Sequence, residues 1–389
     1  MTIKILSVFG TRPEAIKMAP VVAALQSDAR FNSCLVVTAQ HREMLDQVLE
    51  AFCLRPDHDL NIMEHGQTLE RITSKVLLGI TDILQKEKPD AVLVHGDTTS
   101  TFAAALAAFY LRIPVGHIEA GMRTGDVYQP FPEELNRVLT ADLARWHFAP
   151  SQECRDHLLR EGIDEGHIIR TPHNTVVEAL LMARSISLAR RAVREGEDPS
   201  TMVDAEKQGP KILVTAHRRE SWGKQMEEIF SAFAQIAQDL PQARITIATH
   251  ANPAIQEQAH RILDPVPQIE VVTHQRYLDF VALMSESDVI ATDSGGVQEE
   301  GPTLGIPVVV LRDKTEYHEL LDAGVVFLAG TQKERIRLTV EEVLMSSEAH
   351  DRSQAFARQR EQTDSISPIL ETLVASLGSG FDQLGHGVV

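Results

Sequence analysis

Short apolar runs alternate with longer amphipathic stretches along nearly the whole chain, and this alternation most narrows what the chain can become. Continuous apolar runs suit strands buried on both faces, and the amphipathic stretches between them suit helices that cover those faces. Together they define βαβ units and a parallel sheet. The first series predicts strands at residues 3–9, 33–38, 91–95, 114–119 and 146–149, with helical periodicity over 15–26, 44–52, 69–86 and 101–111. A second series predicts strands at 211–215, 244–249, 269–272, 289–292 and 308–311.

At 389 residues the chain exceeds the usual size of one domain. The expected fold is α/β, with two Rossmann-like, doubly wound parallel-sheet domains facing a cleft. The expected division is an N-terminal domain at 1–172, a connecting helix and linker at 173–210, a C-terminal domain at 211–366, and a C-terminal helix with a flexible tail at 367–389. Ligands of such sheets bind beyond the carboxyl ends of the strands, so strand-end loops are where chemistry is to be sought.

A formal net charge of -18 argues against a duplex nucleic-acid binder, which needs a basic face to displace phosphate counterions. It does not exclude a nucleotide, because a few focused cations and helix N-termini suffice for a small anion. The cysteines Cys34, Cys53 and Cys154 lie far apart with no CxxC spacing, so neither a disulfide framework nor a zinc or other metal site is expected. No signal-peptide pattern opens the chain and no run reaches membrane-spanning length. The expectation is a cytoplasmic protein with no membrane partner.

Several strand ends carry candidate chemistry. Strand 3–9 runs into Gly10-Thr11-Arg12-Pro13-Glu14, followed by Lys17 on a helix. A glycine there allows close backbone approach, the helix N-terminus attracts phosphate, and Arg12 and Lys17 add positive charge. His95-Gly96-Asp97-Thr98-Thr99 ends strand 91–95. Asp97 reads either as a helix-cap residue or as a carboxylate set for proton transfer. Strand 114–119 delivers Glu119, and the following Pro132-Glu133-Glu134-Leu135-Asn136-Arg137 opens a helix with Glu133 and Arg137 four apart on one face.

The second series opens with Thr215-Ala216-His217-Arg218-Arg219, which sets His217 just past a strand among cations. Thr292-Asp293-Ser294-Gly295-Gly296 stops a strand and begins a helix, exposing successive backbone N–H groups of the kind that receive phosphate, with Glu300 slightly further in.

Taken in order, the runs 10–17, 38–42, 95–99, 117–121, 132–137, 217–220 and 293–296 closely resemble the bacterial non-hydrolysing UDP-N-acetylglucosamine 2-epimerases, and the likeness extends from about Ile3 to Gly330. The resemblance implies a GT-B-like fold, a UDP-sugar substrate, a homodimer, and no metal or nicotinamide cofactor. It implies inversion at C2 by elimination of UDP to a 2-acetamidoglucal and re-addition. Asp97, Glu119 and Glu133 match the family's catalytic carboxylates, with Arg137 and His217 as supporting cations. Arg12, His217, Ser294, Gly295, Gly296 and Glu300 match its UDP contacts, with Lys17 as a further one and Phe280 beside the uracil. Gln40 and His41 match part of its allosteric substrate site.

The chain departs from the family pattern at Thr315-Glu316-Tyr317-His318-Glu319, where relatives usually read Thr-Glu-Arg-Pro-Glu, and at Ala216 and His173, where glycine is common. These differences bear on the exact sugar and the nucleotide grip. Epimerisation of a modified UDP-sugar, a hydrolysing 2-epimerase and a GT-B glycosyltransferase stand beside the leading reading, as does a nucleotide-sugar sensor without catalysis.

Overall fold

The computed structural model describes residues 2–40, 42–64, 66–195, 209–216, 222–249, 252–273, 275–315 and 317–378. His41, His217, Arg218, Arg219, Glu316 and the expected tail at 379–389 lie outside the described residues. The chain divides into two compact units, the first built from Met1–Ala179 and the chain from Thr363 onward, the second from Leu180–Gln362.

The first unit holds a seven-stranded sheet. Its strands are β1 (Ile3–Phe9), β2 (Phe31–Val37), β3 (His58–Asp59), β4 (Ala91–His95), β5 (Val115–Ile118), β6 (Trp146–Ala149) and β7 (Ile168–Arg170), in the order β3-β2-β1-β4-β5-β6-β7. Every pairing is parallel. All five residues of β4 are buried, as a strand covered on both faces requires. Leu6, Val8, Val92 and Val94 pack with Ile72, Val76 and Ile80 of the helix Leu69–Glu87. The strand order reverses between β1 and β4, so the loops after these two strands part to opposite sides and leave room between them.

The second unit holds six parallel strands, β8 (Lys211–Ala216), β9 (Arg244–Thr249), β10 (Ile269–Thr273), β11 (Val289–Thr292), β12 (Val308–Val310) and β13 (Val326–Leu328). Their order β10-β9-β8-β11-β12-β13 places the reversal between β8 and β11. Phe230 and Phe233 of the helix Lys224–Asp239 are fully buried against Ile212, Val214 and Ile245. Both sheets are thus of the expected doubly wound parallel kind. The expected strands all form, while β3, β7 and β13, each two or three residues long, carry too little sequence to show a pattern. No helix of the described residues is long and apolar enough to cross a membrane.

The units divide between Ala179 and Leu180, within the stretch 173–210 expected as a connection, and between Gln362 and Thr363, within the expected C-terminal domain 211–366. Residues 173–179 remain with the first unit. The helix Ile366–Leu377 also packs there, burying Ile369, Leu370 and Leu373. A buried polar cluster fixes this return. Ser365 Oγ donates to the His173 carbonyl at 2.8 Å, His173 Nε2 meets Thr363 Oγ1 at 3.1 Å, and the Ser365 N–H donates to Glu178 Oε1 at 2.7 Å.

Burial pushes the Glu178 carboxyl up to about 7, against the opposing Ser365 N–H. The folded protein therefore holds a proton that the unfolded chain releases near its ordinary value of 4.5, and this contribution to stability is lost as pH rises from there through about 7. Glu178→Gln keeps an acceptor for Ser365 without the titration. The variant is expected to gain about 2 kcal/mol on the parent between about pH 5 and pH 8, measured by urea denaturation at each pH.

Candidate active site

At the end of β1, Gly10 has no room for a side chain: a Cβ there would come within 2.0 Å of Thr38 Oγ1 and 2.8 Å of Ser100 Oγ. Ser100 Oγ in turn donates to Gln40 Oε1 at 3.1 Å, which places Gln40 beside this turn. Thr11 and Glu14 form a capping box on the helix Arg12–Ser27. Glu14 Oε2 accepts the N–H groups of Gly10 and Thr11 at 3.1 and 2.8 Å. Its Oε1 accepts the hydroxyls of Thr98 and Thr101 at 2.8 and 2.7 Å. One buried carboxylate therefore ties together the two loops on either side of the strand reversal. Glu14 had no assigned role in the sequence, although its spacing from Thr11 was the available signal.

The same helix presents half-buried Arg12 in its first turn and Lys17 one turn later. Lys17 Nζ forms an ion pair with Glu119 Oε2, and the Asn174 amide donates to the same oxygen. His95 Nε2 lies 3.5 Å from it. The Glu119 side chain is only 10 % exposed. Burial alone would push its carboxyl up, but Lys17 and then His95 outweigh that and hold it well below the usual carboxylate range.

Asp97, across the loop after β4, sits differently. Arg137 pairs with Asp97 Oδ2, and Asn136 Nδ2 donates to the Asp97 carbonyl at 3.0 Å. Burial pushes the Asp97 carboxyl up, Arg137 opposes this, and the charge on Glu119 adds to it, leaving it above its ordinary value. Two neighbouring carboxyls are thus driven in opposite directions, the arrangement that lets one stay ionised while the other more readily carries a proton.

The helix Glu133–Leu143 carries the next carboxyls and Arg137. Glu133, half-buried at its start, lies four residues before Arg137 on one helix face. Arg137 instead engages Asp97 and Glu134, whose Oε2 lies 3.2 Å from Arg137 Nη1. Glu134 Oε1 also accepts the N–H groups of Thr124 and Gly125, each at 3.0 Å, and so anchors the loop after β5. That loop needs glycine at Gly121, where φ is +89° and a Cβ would lie 2.2 Å from the Cys154 carbonyl oxygen. Buried His117 has its pKa pushed down to about 3, chiefly by burial, and as a neutral ring its Nε2 lies 2.7 Å from the Gly96 carbonyl.

In the second unit Ser294 precedes the helix Gly295–Thr303, and its N–H donates to Thr292 Oγ1 at 2.9 Å. Nothing lies within 4 Å of where a Cβ on Gly296 would project, so this helix N-terminus is open to an incoming anion. Gln298 Nε2 donates to the Ser294 carbonyl at 3.3 Å while its Oε1 accepts the Thr315 hydroxyl at 2.5 Å. The Tyr317 N–H donates to Thr315 Oγ1 at 3.2 Å, so the altered segment around Tyr317 is wired to the turn at Ser294. Glu300 is half-buried on the same helix, and Phe280 is half-buried on the helix Tyr277–Ser285. β8 ends at Ala216, next to His217.

Among the described residues, one group has metal-competent side chains, Cys34, His58 and Glu87, with ligating atoms within 4.8 Å of one another. Glu87 there already receives Lys4 Nζ at 2.8 Å and meets His58 Nε2 at 3.0 Å, and none of these residues belongs to the loops that carry Asp97 and Glu119. Arg137→Met removes the cation shared by Asp97 and Glu134, the latter only 2 % exposed. The expected loss is about 3 to 5 kcal/mol of stability near neutral pH. Urea denaturation should show the loss shrinking as pH falls and the orphaned carboxylates take up protons.

The sequence matches the UDP-N-acetylglucosamine 2-epimerase family profile over residues 23–371. It is 50% identical over 374 residues to the UDP-N-acetylglucosamine 2-epimerase of Escherichia coli K12, covering 95% of this chain and 98% of that protein. The crystal structure of the Neisseria meningitidis UDP-GlcNAc 2-epimerase bound to UDP-GlcNAc is 42% identical, with a TM-score of 0.78 over 96% of this chain and 100% of that one. The Methanocaldococcus jannaschii UDP-GlcNAc 2-epimerase is 32% identical with a TM-score of 0.78, over 95% of this chain and 100% of that one. With its strand-end carboxyls and open helix N-terminus set in two parallel sheets, the chain belongs to the UDP-N-acetylglucosamine 2-epimerase family.

Proposed function

We propose that this protein interconverts UDP-N-acetylglucosamine and UDP-N-acetylmannosamine by the non-hydrolysing route. The carrying observation is the pair of neighbouring carboxyls, Glu119 held ionised beside Lys17 and Asp97 pushed up beside Arg137. Inversion at C2 needs a proton removed from one face and a proton returned to the other. As the C2–H bond breaks, its electrons form the C1–C2 double bond and the C1–O bond to UDP cleaves, giving 2-acetamidoglucal and UDP. The diphosphate oxygen then re-forms its bond to C1 as C2 is protonated from the opposite face.

Glu119, as the ionised group, suits acceptance of the C2 proton, and Asp97 suits its return; the roles exchange in the reverse direction. Glu133 is the third carboxyl of this reading. Charge that develops on the departing UDP is met by Arg12, Lys17 and His217, by the Ser294 side chain and by the N–H groups of Gly295 and Gly296, with Glu300 on the ribose and Phe280 beside the uracil. Preorganised donors of this kind are worth about 3 to 4 kcal/mol each where charge develops. The protein acts in the cytoplasm as a homodimer, without metal or nicotinamide, and Gln40 and His41 belong to a second, regulatory substrate site.

Incubation with UDP-N-acetylglucosamine in deuterated water should yield UDP-N-acetylmannosamine with deuterium at C2, followed by NMR. Free N-acetylmannosamine with stoichiometric UDP would instead establish the hydrolysing route, and absence of C2 exchange would remove the epimerase reading. Asp97→Asn and Glu133→Gln are each expected to lower the epimerisation rate at least about 100-fold while UDP binding by calorimetry persists. A folded Asp97→Asn protein that no longer binds UDP would contradict the role given to Asp97.

A further inference from the structure

Glu119 follows β5 in a left-handed backbone conformation, φ +63°, and Lys17 Nζ and Asn174 Nδ2 both converge on its Oε2. The other carboxylate oxygen, Oε1, faces Gly96, where even a Cβ would stand 3.9 Å away. The Asn174 amide is committed at both ends. Its Oδ1 accepts the N–H of Val176 at 3.1 Å, at the first residue of the helix Val176–Glu195. Turning the amide over would set a carbonyl against the Glu119 carboxylate and an NH2 against a helix N–H, so the orientation is fixed by both partners.

The backbone beside it is equally constrained, because Ser365 Oγ holds the His173 carbonyl and N–H. The cavity lined by Glu119, Thr171, His173, Asn174 and Ile369 measures about 10 Å³, room for little more than one water beside the pair.

We propose that Asn174 is a positioning residue for the epimerase reaction, holding Glu119 through Oε2 in one rotamer and leaving Oε1 as the oxygen that exchanges the C2 proton. The inference rests on the proposed proton-handling role of Glu119. The other titratable groups facing Glu119 are Lys17 from the first helix, His95 at the end of β4, Asp97 from the loop after it, and Cys154 from the helix Gln152–Arg160. None of them shares Asn174's double engagement with a helix start and the carboxylate.

Asn174→Asp separates the two engagements. Aspartate caps a helix start as well as asparagine, so the bond to Val176 survives, but the donor to Glu119 becomes a second carboxylate. With the whole chain, UDP affinity should be unchanged and the melting temperature should stay within a few degrees of the parent at about pH 6, falling at higher pH as the second carboxyl ionises beside Glu119. At about pH 8.5 kcat should fall roughly ten- to hundredfold, the worth of one hydrogen bond to a charged group.

The defect should shrink towards about pH 6, where the two carboxyls share a proton and the introduced group donates as the amide did. Asn174→Ser, which keeps a capping oxygen but offers no amide, should lose kcat without that pH trend. Full kcat in both variants would overturn the proposal. So would a kcat loss in Asn174→Ser that unfolding at the assay temperature fully accounts for, or a defect of Asn174→Asp that is constant with pH. A parent protein that does not exchange C2 of UDP-N-acetylglucosamine would instead strike the underlying reading, and this role with it.

Discussion

A carboxylate taken out of water at the end of a strand must find its countercharge in another element, and the first unit is organised around meeting that demand twice. Glu119 draws on Lys17 from the helix after β1, and Asp97 draws on Arg137 from the helix after β5. Each pairing spans a loop and so fixes where that loop stands. Removing one member would leave an uncompensated charge, which costs more than the intact pair contributes. The charges thus act less as a source of stability than as a reason for the strand-end loops to hold one arrangement.

Glu14 extends the same logic one layer back. It touches no group assigned to the chemistry, yet its two oxygens join the Gly10 turn to Thr98 and Thr101. Arg12 and Lys17 leave the first of these turns, and Asp97 precedes the second. The second unit has a matching device in neutral groups, where Gln298 and Thr315 connect the Ser294 turn to the segment at Tyr317. A substitution in that segment therefore has a physical route to the start of the helix Gly295–Thr303.

Much of this was legible in the sequence, for identifiable reasons. Strands buried on both faces advertise themselves as apolar runs, so β4 and β11 were plain, whereas the two residues of β3 have no periodicity to show. Asp97, Glu119 and the Ser294 turn drew notice because ligands of doubly wound sheets sit at strand ends, and each does follow a strand. Pairings across long separations were not. Nothing local joins Lys17 to a carboxylate 102 residues away, and helical spacing pointed Arg137 to Glu133 when Glu134 and a different loop were in reach. Asn174 sat next to His173, a position marked only by its departure from glycine, and nothing local tied it to Glu119.

The C-terminal helix that returns to the first unit imposes an order on biosynthesis. His173 leaves the ribosome long before Thr363 and Ser365, with the whole second unit translated between them. Until Thr363 and Ser365 emerge, the segment bearing Asn174 lacks its anchor and the face later covered by Ile369 and Leu373 stays bare. A nascent chain therefore carries its front half unfinished until the second unit has been made, and a stop ahead of Thr363 would damage the half that was made first.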